Sequence, residues 1–187
     1  MKTEKEKMLA GELYDALDPQ LSEDRLKARL LLKSLNDSWE DQTEERMRIL
    51  KDLIPHAGEG LWLQPPFYCD YGYNLKIGDR VFFNFNCVVL DVAEVVIGSR
   101  TLFGPNVQIY TATHPMHHIE RASGLEYAKP ICIGEDVWVG GSAVICPGVT
   151  IGDRSVIGTG SVVTKDIPAD VFAAGNPCRV IRQLQEK

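Results

Sequence analysis

Along the second part of the chain, apolar positions recur every six residues. From Ile133 the series runs through Val139, Ile145, Ile151, Ile157 and Val163, all β-branched aliphatics. Gly follows directly at 134, 140, 152 and 158. Four residues after the aliphatics stand small or modest side chains: Val137, Ala143, Val149, Ser155 and Ser161. The same register runs earlier through Ile77, Phe83 and Val89, with Val81 and Cys87 in the small slot. After a two-residue slip it resumes at Ile97, Phe103 and Ile109, with Thr101 and Val107.

A period of six is neither the 3.6 of a helix nor the 2 of a half-buried strand. It predicts a prism. A short strand runs along a flat face, and a turn then carries the chain to the next face. One aliphatic per hexad fills the interior, and the small residue lets the corner close. The glycines after the aliphatics are expected to supply the unusual turn torsions. Three faces give about 18 residues per coil, with coils stacked at roughly the 4.8 Å sheet spacing. The fold expected is mainly β, a hexapeptide-repeat parallel β-helix.

Residues 1–57 follow a different pattern and are expected to form a helical N-terminal cap over a β-helix at 58–187. Thr3 and Glu6 fit a capping box, and Met8, Leu9 and Leu13 predict one apolar helical face. "DPQ" at 18–20 predicts a break, after which Ser22 is expected to cap "EDRLKARLLLKSL". A third helix is expected near "QTEERMRILKDLI", stopping before Pro55.

Composition narrows the function classes. A net charge of −6 argues against a nucleic-acid surface. The first residues carry charge and no apolar core of a secretory signal, and no run is long enough for a membrane span. Five cysteines form no CxxC pair, which fits a reduced cytoplasmic setting.

The beat stops once, at "TATHPMHHIERASGLEYAKP", an excursion over 111–130 that holds His114, His117 and His118, three of the four histidines. Taken alone, these could be surface residues, a metal site (imidazole is a common ligand), or a catalytic base. A γ-type carbonic anhydrase shares the expected fold and binds zinc through histidines, but partly from separate coils. No histidine lies between 57 and 113 or after 118 here. A non-catalytic scaffold on the same solenoid is the remaining class.

The hexads, "THPMHH", "NPCRVIR" and the helical front together resemble the maltose and galactoside O-acetyltransferases, over nearly the whole chain. "EKEKMLAGELY", "CDYGYN" and "YTATHP" are most similar to the maltose branch. The resemblance implies a left-handed coil, against the usual right-handed crossover preference. It also implies a homotrimer, acetyl-CoA as co-substrate with no metal required, and a sugar hydroxyl (maltose or glucose, for example) as acceptor. His114 matches the family's catalytic histidine, and His117 and His118 become loop structure. Asn84 is implied to touch both sugar and acetyl group. Asp70 stands where the galactoside branch has serine, and Asp91 and an acidic residue of the cap, Asp15 or Asp18, are further acceptor contacts.

For the coenzyme, Trp138 is placed on a face and Gly140–Gly141 at a turn where pantetheine can approach backbone amides. Gly141 replaces a serine of the galactoside enzymes. Thr159, Thr164 and Lys165 follow along the C-terminal coils, and Arg179 and Arg182 add cations that suit phosphates. Without the resemblance, those cations read equally well as solvated tail charges.

Overall fold

A computed structural model describes residues 1–184. The last residues of the tail expected to reach 187 lie outside the described residues. Three helices come first: α1 (Glu4–Leu9), α2 (Pro19–Asn36) and α3 (Thr43–Leu53). The capping box at Thr3 and Glu6 is present. Helix α1 is shorter than expected, because Gly11 turns the chain at φ +70°. Met8 is buried, but Leu9 is half exposed and Leu13 lies beyond the helix. The cap of α2 is Asp18 rather than Ser22: its carboxylate accepts from the N–H groups of Gln20 and Leu21, at 2.9 and 3.2 Å. Pro19 is then the first helical residue, where its missing N–H costs nothing.

Six-residue steps then build the prism. The first coil is β1 (His56–Ala57), β2 (Trp62–Leu63) and β3 (Phe67–Cys69). The second is β4 (Leu75–Ile77), β5 (Phe82–Phe83) and β6 (Cys87–Leu90). The third is β7 (Val95–Ile97), β8 (Leu102–Phe103) and β9 (Gln108–Tyr110). An arm, β10 (Ala112–Thr113) and β11 (Tyr127–Ala128), interrupts before the fourth coil: β12 (Ile131–Ile133), β13 (Trp138–Val139) and β14 (Val144–Ile145). The fifth is β15 (Thr150–Ile151), β16 (Val156–Ile157) and β17 (Val162–Val163), and β18 (Val171–Ala174) and β19 (Arg179–Gln183) close the end. Each face is a parallel sheet: β1-β4-β7-β12-β15, then β2-β5-β8-β13-β16-β18, then β3-β6-β9-β14-β17. Within these faces, β19 alone among the described residues returns antiparallel, on β18.

The hexad aliphatics are the core. Ile133, Val139, Ile145, Ile151, Ile157 and Val163 are all buried, as are Val137, Ala143, Val149, Ser155 and Ser161 in the small slot. Each large aliphatic buried this way contributes about 1.5–3 kcal/mol. Ser155 and Ser161 satisfy their hydroxyls on the carbonyls of Pro168 and Gly158, at 2.7 and 2.5 Å.

The corner glycines have a different job from the one expected. The left-handed torsion falls three residues after the aliphatic, at Arg80, Asn86, Arg100, Asn106, Asp136, Ser142, Arg154 and Gly160 among others. The glycine directly after the aliphatic is there because the next coil leaves no room. A Cβ on Gly152 would sit 2.4 Å from the backbone nitrogen of Ala169, and one on Gly140 2.6 Å from that of Thr159. Replacing Gly152 with alanine should therefore cost about 1–3 kcal/mol by forcing coils apart. Urea melts compared with the native protein check this; an unchanged midpoint would show that the stack can yield.

Candidate active site

Two corners of the prism carry the residues of interest. The corner between the third and first faces receives the chain after β3, β6, β9 and β17. Asp70 follows β3, Asp91 follows β6, Thr111 follows β9, and Thr164 and Lys165 follow β17. Register pairs along β3, β6, β9, β14 and β17 put Asp91, Thr111 and Lys165 in one column and Asp70 and Thr164 in the column beside it.

Asp91 is fully buried, so it offers no surface to an acceptor. Its Oδ1 accepts from the N–H groups of Asp70 and Tyr71, each at 2.9 Å, and its Oδ2 from that of Gly72 at 2.7 Å. Burial pushes its carboxyl up to about 7 while these amides pull it down. It holds the turn that presents Asp70, and a sugar-contacting role is corrected to that. Asp70 lies above it, its carboxyl raised chiefly by burial, with a guanidinium nitrogen of Arg29 at 3.4 Å.

The excursion at 111–130 is a built arm. Thr111 is buried, donates from its hydroxyl to the Leu90 carbonyl at 2.6 Å and accepts from the Ala93 N–H at 3.0 Å. β10 and β11 pair antiparallel, Ala112 with Ala128 and Thr113 with Tyr127. A short helix, α4 (His118–Arg121), forms the tip. His114 leaves the end of β10 with 54% of its side chain exposed, its Nε2 3.7 Å from Glu126 Oε2. His117 and His118 lie on the tip with ring centroids 4.9 Å apart. Among the described residues, no three His, Cys, Asp or Glu side chains converge as a metal site requires.

The cap reaches the same corner. Tyr14 bridges to Glu126, with backbone bonds of 3.0 and 3.2 Å in the two directions. Met8, Tyr14, Leu21, Tyr71, Val92, Ala93 and Ala128 form a second small core that joins cap, corner and arm. Asp15, next in sequence, is exposed, and its carboxylate turns back to the Leu17 N–H at 2.9 Å. Asp18 is committed to capping α2, so Asp15 is the freer carboxylate. Sequence reasoning missed Glu126 and Tyr14, which are far apart in the chain and carry no local motif.

The corner between the second and third faces holds the other group. Asn84, Gly104, Gly140 and Gly158 fall in one column, because Phe83, Phe103, Val139 and Ile157 pair in register. Gly141 and Thr159 stand one residue further along the same edge. Asn84 Oδ1 accepts from the Phe85 N–H at 2.7 Å, and its amide NH₂ has no partner among the described residues. The edge differs from the corner between the first and second faces. There, backbone amides are capped by the next coil: Glu59 N–H donates to Asp79 Oδ1 and Glu135 N–H to Asp153 Oδ1, each at 2.9 Å. Here the amides of Gly141 and Thr159 find no acceptor among the described residues. Two backbone donors on this edge are therefore free of the protein's own acceptors.

Trp138, on the second face, is 55% exposed. In its row follow Val156 and Phe172, and Arg182 lies over the Phe172 ring at 5.9 Å. Arg179 pairs with Ala174 at the end of the same face. Lys165, Arg179 and Arg182 are exposed and make no ion pair among the described residues.

A family model described as "Maltose acetyltransferase hexapeptide capping motif" matches residues 7–58, and one described as "Bacterial transferase hexapeptide (six repeats)" matches 133–165. The galactoside O-acetyltransferase of Escherichia coli is 44% identical over 97% of this chain and 90% of its own. The chain belongs to the maltose and galactoside O-acetyltransferase family. It is an O-acetyltransferase with the hexapeptide-repeat β-helix of that family. A maltose O-acetyltransferase from Clostridium difficile is 48% identical, covers 99% of both chains and superposes with a TM-score of 0.97. A hexapeptide-repeat acetyltransferase from Vibrio cholerae, solved with acetyl coenzyme A, is 40% identical with a TM-score of 0.92, covering 99% of this chain and all of its own.

In this family member the Asp91 cradle is open to a direct test. Asp91→Asn puts an NH₂ against at least one backbone N–H that now has an acceptor. A loss of about 2 kcal/mol or more is expected from the stranded donors. Chemical denaturation measures it, and native stability in the variant would mean the turn does not need the carboxylate.

Proposed function

We propose that this enzyme moves an acetyl group from acetyl-CoA to a hydroxyl of a sugar such as maltose or glucose, with His114 as general base. The observation that carries the reading is the placement of His114: half exposed where the arm leaves a rigid corner, 3.7 Å from Glu126, which is bonded to the cap through Tyr14. A positioned imidazole takes the hydroxyl proton, and the oxygen attacks the thioester carbon directly. The tetrahedral oxyanion is held by the amide of Asn84 and the N–H of Gly141. Collapse expels the coenzyme thiolate, which takes the proton back from the imidazolium. Asp70 and Asp15 orient the acceptor. Trp138, Thr159, Thr164, Lys165, Arg179 and Arg182 hold the coenzyme, and no metal is needed.

The two groups sit on different corners of one prism. A head-to-tail ring of three copies would set the His114 edge of one against the Asn84–Gly141–Thr159 edge of the next. We therefore propose a homotrimer with a cleft between each pair of copies. A cytoplasmic setting agrees with five cysteines that form no disulfide. Among the described residues, no helix is long and apolar enough to cross a membrane.

Thiol release from acetyl-CoA, measured across a panel of sugar acceptors, tests the reaction. His114→Ala should cut turnover at least about a hundredfold, within the range for a positioned base, while His117→Ala and His118→Ala change it little. Comparable losses at all three, restored by zinc, would favour a metal reading. Lys165→Ala and Arg179→Ala should raise KM for acetyl-CoA with kcat nearly kept, because phosphates lie far from the reacting carbon. A raised acceptor KM instead would reassign them. Mixing His114→Ala and Asn84→Ala chains through refolding should restore about a quarter of native clefts if each cleft draws on two copies. No recovery, or a stable active monomer in light scattering, would defeat the shared cleft.

A further inference from the structure

The base reading leaves one largely enclosed carboxylate without a task. Glu126 has only 17% of its side chain exposed, and its one ion-pair partner among the described residues is His114. It is held unusually firmly for a loop residue. Its N–H donates to the Tyr14 carbonyl, its carbonyl accepts from the Tyr14 N–H, and its Oε1 accepts from the Tyr14 hydroxyl. Tyr14 is itself fully buried, and burial together with this carboxylate raises its phenol, which keeps it an O–H donor. One carboxylate oxygen is thus spent on the cap, and Oε2 is left facing the imidazole at 3.7 Å. A loop brace would need only the backbone pairing.

We propose that Glu126 is the positioning residue for His114: its Oε2 accepts the Nε2–H of the neutral imidazole and leaves Nδ1 free to take the acceptor's proton. This rests on His114 being the base. The present gap is wider than a hydrogen bond and closes by a small rotation of the exposed ring, as catalytic contacts do when substrate arrives. In the reaction the acceptor O–H bond breaks as Nδ1–H forms. The Nε2 proton stays on the ring, against the carboxylate, so the imidazolium is stabilised without further proton transfer. Collapse returns the Nδ1 proton to the coenzyme sulfur. The other charged or titratable groups around Glu126 are Tyr14 from the cap, Tyr71 and Asp70 from the corner, and Arg25 and Arg29 from α2. Arg25 donates to the Tyr71 hydroxyl at 2.8 Å and Arg29 lies against Asp70, so these cations already have partners. Because Tyr14 belongs to the cap, the helical front sets the orientation of the base.

Glu126→Gln keeps the shape and the tyrosine bond but removes the charge. Nitrogen-15 NMR of the whole protein, with His114 assigned from a His114→Gln spectrum, follows the imidazole directly. In the native protein the neutral ring should carry its proton on Nε2, and Glu126→Gln should weaken that preference, because the charged acceptor is gone. kcat should drop about tenfold or more while KM for acetyl-CoA stays within about twofold. Tyr14→Phe retains the carboxylate and should leave the tautomer in place. If Glu126→Gln does not fold, Glu126→Asp, which retracts the charge by one methylene, should weaken the preference and lower kcat. A folded Glu126→Gln protein with the native tautomer and native kcat would reduce Glu126 to a brace between arm and cap. A fully active His114→Ala enzyme would instead remove the base reading and this inference with it.

Discussion

The coil-to-coil backbone hydrogen bond, repeated at every corner, is the constraint on which the rest depends. Gly78 N–H bonds Ile97 O, Gly98 N–H bonds Ile133 O, and Gly134 N–H bonds Ile151 O, each at 2.8 Å. At that spacing a Cβ has no space, as the contacts around Gly134 and Gly152 show. The hexad rhythm is the sequence imprint of this packing. Because the stack is so tightly fixed, any residue placed just past a corner is held to within a narrow range of positions. That precision is what positioned catalysis needs, and it comes from the frame rather than from the arm that bears His114.

The frame alone would be a closed prism with nothing to bind. Function enters where its rules are relaxed. At one corner an arm replaces the next hexad, and a buried Thr111 anchors it to Leu90 of the second coil. At another, Gly141 and Thr159 stand where an amide would otherwise be capped, as Asp153 caps Glu135. The charged corner between the first and second faces is closed in a different sense: Arg100 spans Asp136 and Glu135, and Arg154 pairs with Asp170. The corner that bears the arm is also braced, by the Asp91 carboxylate on three amides, so the amides of Gly141 and Thr159 at the remaining corner stand out.

Legibility in the sequence follows the range of the interaction. The hexad core was readable because each coil repeats the same demand on consecutive residues. The arm at 111–130 was readable because "THP" interrupts a regular background. The corner glycines were readable as important but not for the right reason, since close approach and positive φ favour the same residue. Only register places the left-handed turn at Arg80 or Asp136 and the steric limit at Gly134. The start of α2 slipped from Ser22 to Asp18 because Pro19 suits the first helical position, a local cue outweighed by a second plausible cap. Asp91, expected as an acceptor contact, is buried instead, and no local pattern announces it. Its burial depends on three amides of the preceding coil.

Glu126 and Tyr14 mark the far limit of that legibility. Their pairing joins the helical front to an arm that emerges from the third coil, and no window of sequence contains both. The cap therefore has two roles. α2 and α3 supply Leu32, Leu35, Ile49 and Leu53 to the main core, which is a matter of stability. The segment around Tyr14 builds the separate small core beneath the corner, which is a matter of geometry. A solenoid can end in many ways if only its open end must be covered. One that must also fix a carboxylate beside an imidazole needs a cap folded forward along the edge. The chain does this with α1 and the turn at Gly11, whose missing side chain lets it approach the Ala128 carbonyl at the base of the arm. The shape of the cap is thus set less by the end of the prism than by the position of the arm.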